Sequence, residues 1–286
     1  MIVVAGASGT LGPLLVPLLV ERGEPVRVVT RDPGAASRKL SGVELISGDV
    51  TRPEDARRAV AGARVVVSAI TGFASPAGLQ GVDVEGNRIL ADAAVRAGVE
   101  QFVLLSVAQA SADHPMALFR AKFAAEQAVR ASSVGWTMIR PTAYLETWLG
   151  LIGGPLVAKG RTIVFGRGRN PINFVSVRDV AALVERVATD QATRGQTLEI
   201  GGPDNLTFDQ LARMVAADRG DATSPRHLPR AVLRTMAVIV GRVRPELGCQ
   251  ARAALAMDHD DLSFDNTAVR TRFADLPCTS AADLLA

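Results

Sequence analysis

The run Val3-Val4-Ala5-Gly6-Ala7-Ser8-Gly9-Thr10-Leu11-Gly12 joins a short apolar stretch to glycines three residues apart. A diphosphate approaches a backbone closely only where side chains are absent, and a helix opening just after the glycines offers unpaired N–H groups and the positive end of its dipole. Gly6, Ser8, Gly9, Thr10, Leu11 and Gly12 are thus the expected contacts of a dinucleotide; the alternative is an ordinary tight turn. At the end of the next apolar run stand Arg31 and Asp32. An acidic side chain there accepts from a ribose 2′-hydroxyl, whereas an arginine accommodates a 2′-phosphate. Asp32 precedes Pro33 and so has a sufficient duty as a helix N-cap. That leaves Arg31, with Arg38 and Lys39 as helpers, to favour NADP(H) over NAD(H); a solvated surface arginine is the other reading. Lys122 stands out by composition, because the chain has only three lysines, Lys39, Lys122 and Lys159, among 32 basic residues. A compact ammonium with three donors can bridge the two ribose hydroxyls beside a nicotinamide, a geometry that a planar guanidinium fits poorly. Otherwise Lys122 is a solvated helix lysine.

Positioning such residues requires alternating strands and helices. Short apolar runs at Ile2–Ala5, Val26–Thr30, Val43–Ile46, Val65–Ala69, Phe102–Ser106 and Thr137–Ile139 read as buried parallel strands. Between them Leu11–Arg22, Pro53–Val60, Leu79–Ala97 and Met116–Ala131 read as crossover helices, with a kink expected at Pro17. The fold class is α/β, a doubly wound parallel Rossmann-type sheet. Ala69, Ile70 and Thr71 follow the fourth strand at its switch point, where backbone contacts to a cofactor belong. After Pro141 the rhythm loosens: 150–168 is glycine-rich without a clear period, Asn173–Val177 reads as a strand, Asp179–Ala188 as a helix and Gln196–Ile200 as a sheet strand. Helices are expected at Thr207–Ala217, Arg230–Val243 and Gln250–Met257. The expected division is a dinucleotide-binding domain at 1–141, with 173–201 returning to its sheet, and a smaller, mostly helical substrate lobe at 142–172 and 202–286.

Composition narrows the function classes. With 48% hydrophobic and 21% charged residues the chain sits in the globular range. Cys249 and Cys278 lack metal-ligand spacing, and His114, His227 and His259 are scattered, so neither a metal site nor a cysteine nucleophile is indicated. The net charge of +3 comes without basic runs or interleaved aromatics, which argues against nucleic acid as a partner. Met1–Val20 carries no charge, but it lacks an early Lys or Arg and contains Gly6, Gly9, Gly12, Pro13 and Pro17. Strand, turn and helix fit it better than a leader or a membrane span. The expectation is a soluble cytoplasmic chain.

The glycine spacing, Gly-x-x-Gly-x-x-Gly, together with Val26-Arg27-Val28-Val29-Thr30-Arg31-Asp32-Pro33, Gly48-Asp49-Val50, Val84-Glu85-Gly86-Asn87, Ala93–Val99, Arg140-Pro141-Thr142 and Gly201-Gly202-Pro203, resembles the atypical short-chain dehydrogenase/reductases, specifically NmrA-like proteins and NAD(P)H-dependent quinone or azo reductases. The resemblance covers nearly the whole chain and weakens after about Thr207. It implies that Asp49, with Val50 beside it, contacts adenine, although a turn aspartate is nearly as good a reading. It implies Ser106 and Lys122 as catalytic positions and Pro141 beside the cofactor. The set is incomplete, since Leu118 stands four residues before Lys122 where the family tyrosine belongs, and Phe119 also lacks a hydroxyl. The single tyrosine, Tyr144, falls where similar proteins line a substrate pocket, with Trp148 and Phe73 as further walls or simply core. His114 is a candidate proton donor or an exposed loop residue. Two functions remain: an NADPH-dependent reductase of a quinone-like or conjugated electrophile, or an NmrA-like redox sensor that binds the dinucleotide and signals to a protein partner. An accessory or assembly subunit is a third, and a homo-oligomer is possible in each case.

Overall fold

The computed structural model describes residues 1–73, 75, 77–220 and 224–286; side chains at 157–159, Lys159 included, and at 245–246 fall outside that description. Two compact units emerge, one from Met1–Pro141 with Val177–Glu199, the other from Thr142–Ser176 with Ile200–Ala286.

The first unit opens with β1 (Ile2–Ala5), α1 (Gly12–Glu21), β2 (Val26–Thr30), α2 (Pro33–Ser37), β3 (Glu44–Ser47), α3 (Pro53–Val60) and β4 (Val65–Ser68). A π-helical turn (Gln80–Gly86) then leads into α4 (Asn87–Arg96), β5 (Gln101–Leu105), α5 (Ala117–Ala131) and β6 (Trp136–Pro141). Every residue of β1 and β4 is buried, as strands covered on both faces must be, which explains their unbroken runs of valine and isoleucine. The pairings from β3 through β2, β1, β4 and β5 to β6 are all parallel. A seventh strand, formed later in the chain by Gln196–Ile200, lies beside β6. The chain winds outward from β1 to β3 and then returns to β4 on the other flank of β1. The crevice of this sheet therefore opens between the carboxyl ends of β1 and β4.

One expectation needs adjustment here. The stretch expected as one helix at Leu79–Ala97 is a π turn followed by α4, a local widening that is frequent at functional sites. α1 runs through Pro17 to Glu21, within the helix expected there.

In the second unit β7 (Ala143–Tyr144) leads into α6 (Leu145–Lys159), β8 (Ile163–Phe165) and β9 (Ile172–Val175). β9 was expected to return to the main sheet; it pairs instead with β7 and with the short strand Asn205–Leu206 in a separate three-stranded sheet. The glycine-rich segment 150–168, which shows no clear period in the sequence, is helical as far as Lys159. Leu145, Trp148, Ile152 and Leu156 recur at helical spacing and are all buried, so one apolar stripe outweighs the low helix propensity of Gly150, Gly153, Gly154 and Pro155. A Cβ on Gly153 would lie 2.9 Å from Val215 Cγ1, so the glycine permits the close approach of the following helix, Phe208–Asp218. The stretch expected as one helix at Arg230–Val243 contains a π segment, Met236–Val240, between two short α-helical pieces.

Candidate functional site

The three loop glycines are required for different reasons. Gly6 leaves β1 with φ +87°, and a Cβ there would lie 2.5 Å from the Ala69 carbonyl oxygen and 2.9 Å from the Ile70 nitrogen. The first turn of the loop thus presses directly on the end of β4. Gly12, at the head of α1, is buried, and a Cβ there would lie 1.9 Å from the Ala7 carbonyl oxygen. Gly9 is exposed, and a Cβ on it would meet a single neighbour, the Gly6 oxygen, at 3.2 Å. Internal packing demands Gly6 and Gly12 but scarcely demands Gly9. The surface left bare by Gly9, flanked by exposed Ser8 and Thr10 and followed by buried Leu11, is the one open to an incoming anion. Pro13 has no N–H and Leu14 donates to the Leu11 carbonyl, so at the head of α1 the amides of Leu11 and Gly12 are the ones left for an anion.

At the end of β2, Asp32 caps α2 by accepting from Ala35 N–H at 2.8 Å, the duty its place before Pro33 implied. Arg31 is exposed, and its guanidinium has no hydrogen-bond partner among the described residues. Asp49 accepts from the Thr51 amide at 3.0 Å and from its hydroxyl at 2.7 Å, while its own N–H donates to Asp55. Burial works against ionisation of Asp49, but the Thr51 hydrogen bonds and the charges of Arg31 and Arg52 outweigh it and hold the carboxyl below its usual range. Asp49 is thus a turn residue whose Oδ1 is occupied by Thr51 and whose charge lies near Arg31. Val50 next to it is buried.

Lys122, expected either at a cofactor or in solvent, is 7% exposed. Its Nζ donates to the Ile70 carbonyl at 2.9 Å and lies 2.9 Å from Oδ1 of fully buried Asp83 on the π turn. Ile70 is the residue that abuts Gly6, so loop glycine, strand end and lysine form one contiguous cluster. Ser106 closes β5, its amide donating to the Ile139 carbonyl; its hydroxyl is buried with no partner among the described residues. Leaving a buried hydroxyl unsatisfied costs about 1–3 kcal/mol, which a bound polar group would relieve. Asp83 is the residue that the sequence reading missed. Its signal was a polar residue on the stripe Asp83, Asn87, Leu90, Ala94, all of it buried.

The sequence pattern of the NmrA-like family matches residues 1–262. The chain belongs to the NmrA-like family. Among relatives, an NAD(P)H azoreductase of Xenophilus azovorans is 28% identical over 222 residues, 77% of this chain and 74% of its own. A photosystem II assembly factor, Ycf39, of Cyanophora paradoxa is 26% identical over 234 residues, 81% of this chain and 73% of its own. The crystal structure of an NADPH-dependent quinone oxidoreductase from Escherichia coli, complexed with NADPH, superposes with a TM-score of 0.82 at 21% identity, covering 100% of this chain and 98% of that one. That likeness establishes a shared fold.

The remaining candidates of this NmrA-like chain fall in both units. His114 stacks on Phe119 at 4.1 Å, its Nδ1 accepting from the Met116 amide, which ties the ring to the start of α5 and leaves Nδ1 without a proton to give. Leu118 confirms that no hydroxyl stands one turn before Lys122. Phe73 is half-buried just past β4, its amide bonded to the Thr71 hydroxyl. Pro141 ends β6, its carbonyl accepting from Ala108. In the second unit Trp148 packs against Phe208 at 4.9 Å and Phe165 at 6.0 Å. Its ring is part of the core of that unit. Tyr144 lies partly buried on β7, where burial and then the Glu146 charge push its phenol well above the usual range. It stays protonated at neutral pH. Among the described residues no helix is long and apolar enough to cross a membrane.

Proposed function

We propose that this chain is an NADPH-dependent reductase of a quinone-like or otherwise conjugated small-molecule electrophile. The observation that carries the reading is the cluster at the switch point: the Gly6 turn of the glycine loop presses on the end of β4, the Ile70 carbonyl just beyond it holds Lys122, and Ser106 with its orphaned hydroxyl closes the neighbouring strand β5. A nicotinamide dinucleotide fits these residues. The loop amides would hold the diphosphate, Arg31 the 2′-phosphate, and Lys122 the ribose next to the nicotinamide, with Asp49–Val50 and Ala69–Ile70 bordering the path. NADPH, when bound, supplies a hydride. The chain's own part is to orient and to exclude water, and a quinone makes few further demands, because its oxygens take up a proton from solvent. On that account the missing hydroxyl at Leu118 does not by itself exclude reduction.

Purified protein should oxidise NADPH in the presence of at least one member of a panel of quinones, azo dyes, enones and free flavin, followed by nicotinamide absorbance. Tight NADPH binding without oxidation across the panel would instead favour a dinucleotide-dependent sensor or accessory protein. Leu118 in place of a tyrosine favours that second reading, as does similarity to an assembly factor.

Cofactor choice gives a separate expectation. Arg31→Ser should weaken NADPH about tenfold, the loss of one exposed charge-assisted contact worth about 1.5 kcal/mol, and should leave NADH unchanged within about twofold. Parallel calorimetric titrations of the two nucleotides read it out. Equal losses for both would remove the assignment.

A further inference from the structure

The π turn between β4 and α4 holds a buried polar network. Asp83 is fully buried; its Oδ2 accepts from the Gly72 amide at 2.7 Å, and its Oδ1 lies 2.9 Å from Lys122 Nζ. Its main-chain carbonyl accepts from Asn87 Nδ2 at 2.6 Å, and Asn87 Oδ1 in turn accepts from Ser68 Oγ at 2.6 Å. Ser68, the last residue of β4, and Asn87 are also fully buried. Asp83 thereby joins the strand end, the loop at Ile70 and Gly72, the π turn and α5. A Cβ on Gly72 would lie 2.0 Å from the Gly78 carbonyl oxygen, so this loop is also fixed from its far side.

Stability alone gives little reason for this arrangement. A buried ion pair in place of well-packed apolar side chains is commonly neutral or unfavourable, whereas removing one partner is strongly destabilising. What the pair does achieve is a single location for an ammonium and for the backbone it grips. A long lysine side chain has several rotatable bonds, and Asp83 together with the Ile70 carbonyl restrains them at the crevice end of the sheet. The ammonium has three donors, so these two partners leave one for a ligand.

We propose that Asp83 is a positioning residue, which through the Lys122 ammonium sets the part of the site that receives the nicotinamide-ribose half of the dinucleotide. The inference rests on the reading of Lys122 given under Proposed function. It predicts a selective defect: the adenosine half, held by the glycine loop and Arg31, does not depend on Asp83.

The test is calorimetric titration of cofactor-free protein with NADPH and with 2′,5′-ADP, which carries the adenosine half and the 2′-phosphate only. Asp83→Asn should bind NADPH about tenfold more weakly and 2′,5′-ADP within twofold of wild type. Lys122→Met should do the same, and the double variant should be no weaker than Lys122→Met, because the two residues act through one contact. Should Asp83→Asn not fold, Asp83→Glu keeps the charge, displaces the ammonium by one methylene, and is expected to show the same selectivity. The proposal is overturned if Asp83 variants bind NADPH as wild type does, or if both ligands weaken equally, which marks a purely structural role. Wild-type affinity for NADPH in Lys122→Met would leave Asp83 nothing to position. Wild-type protein that binds neither ligand would overturn the dinucleotide reading itself, a failure distinguishable from the others.

Discussion

Gly9→Ala should melt within about 2 °C of the wild-type protein and bind NADPH about a hundredfold more weakly, while Gly12→Ala should fail to fold or melt far lower. The contrast follows from what each new methyl group meets. At Gly12 it would lie 1.9 Å from the Ala7 carbonyl oxygen, a backbone atom that can move only if the loop or α1 moves. At Gly9 the neighbour is the Gly6 oxygen at 3.2 Å, and a shift of a few tenths of an ångström accommodates it. The same methyl group projects from an exposed loop at the head of a helix, where a diphosphate would have to touch backbone. Hydrogen bonds to a charged group are worth about 1.5–3 kcal/mol each, so losing one gives roughly 10- to 150-fold. Melting curves and NADPH titrations of the two variants separate a glycine needed for packing from one needed for a ligand. Wild-type affinity in a folded Gly9→Ala protein would place the diphosphate elsewhere.

Much of the sheet unit was legible because its signals are local. A buried parallel strand is a valine-rich run, the glycine loop announces a close approach, and Asp32 before Pro33 announces a cap that the structure supplies through Ala35. Signals that depend on distant partners were not legible. The lysine count marked Lys122 as unusual, but its burial and its pairing with Asp83, 39 residues earlier, exist only once the π turn and α5 have packed together. The quoted segment Val84–Asn87 began one residue too late. The helix α6 was hidden for another reason: its glycines and proline oppose helix, and only the buried stripe Leu145, Trp148, Ile152, Leu156 overrides them. That stripe also places Trp148 in the core of its unit.

The pair Arg140–Glu126 was equally invisible, and it carries a second stability expectation. Arg140 entered the reading only as part of Arg140-Pro141-Thr142. In the structure its Nε and Nη2 donate to the two oxygens of fully buried Glu126, both at 2.8 Å, and its Nη1 reaches Glu199 at 3.3 Å. β6, α5 and the strand Gln196–Ile200 are thereby joined by one guanidinium, whose own pKa is pushed further up, first by its hydrogen bonds to Glu126. Arg140→Ala would leave the Glu126 carboxylate buried with Arg130, 3.1 Å away, as its remaining cation. Breaking a buried pair costs about 3–5 kcal/mol, and because Arg130 retains part of the neutralisation the lower end applies. With about 2–4 °C of melting temperature per kcal/mol for a domain of this size, the variant should melt roughly 6–12 °C lower. The double variant Glu126→Leu/Arg140→Met removes both charges and should recover most of that loss. A melting temperature for Arg140→Ala within 1–2 °C of wild type would show that Arg130 or water suffices for Glu126, and that the fork from β6 is dispensable.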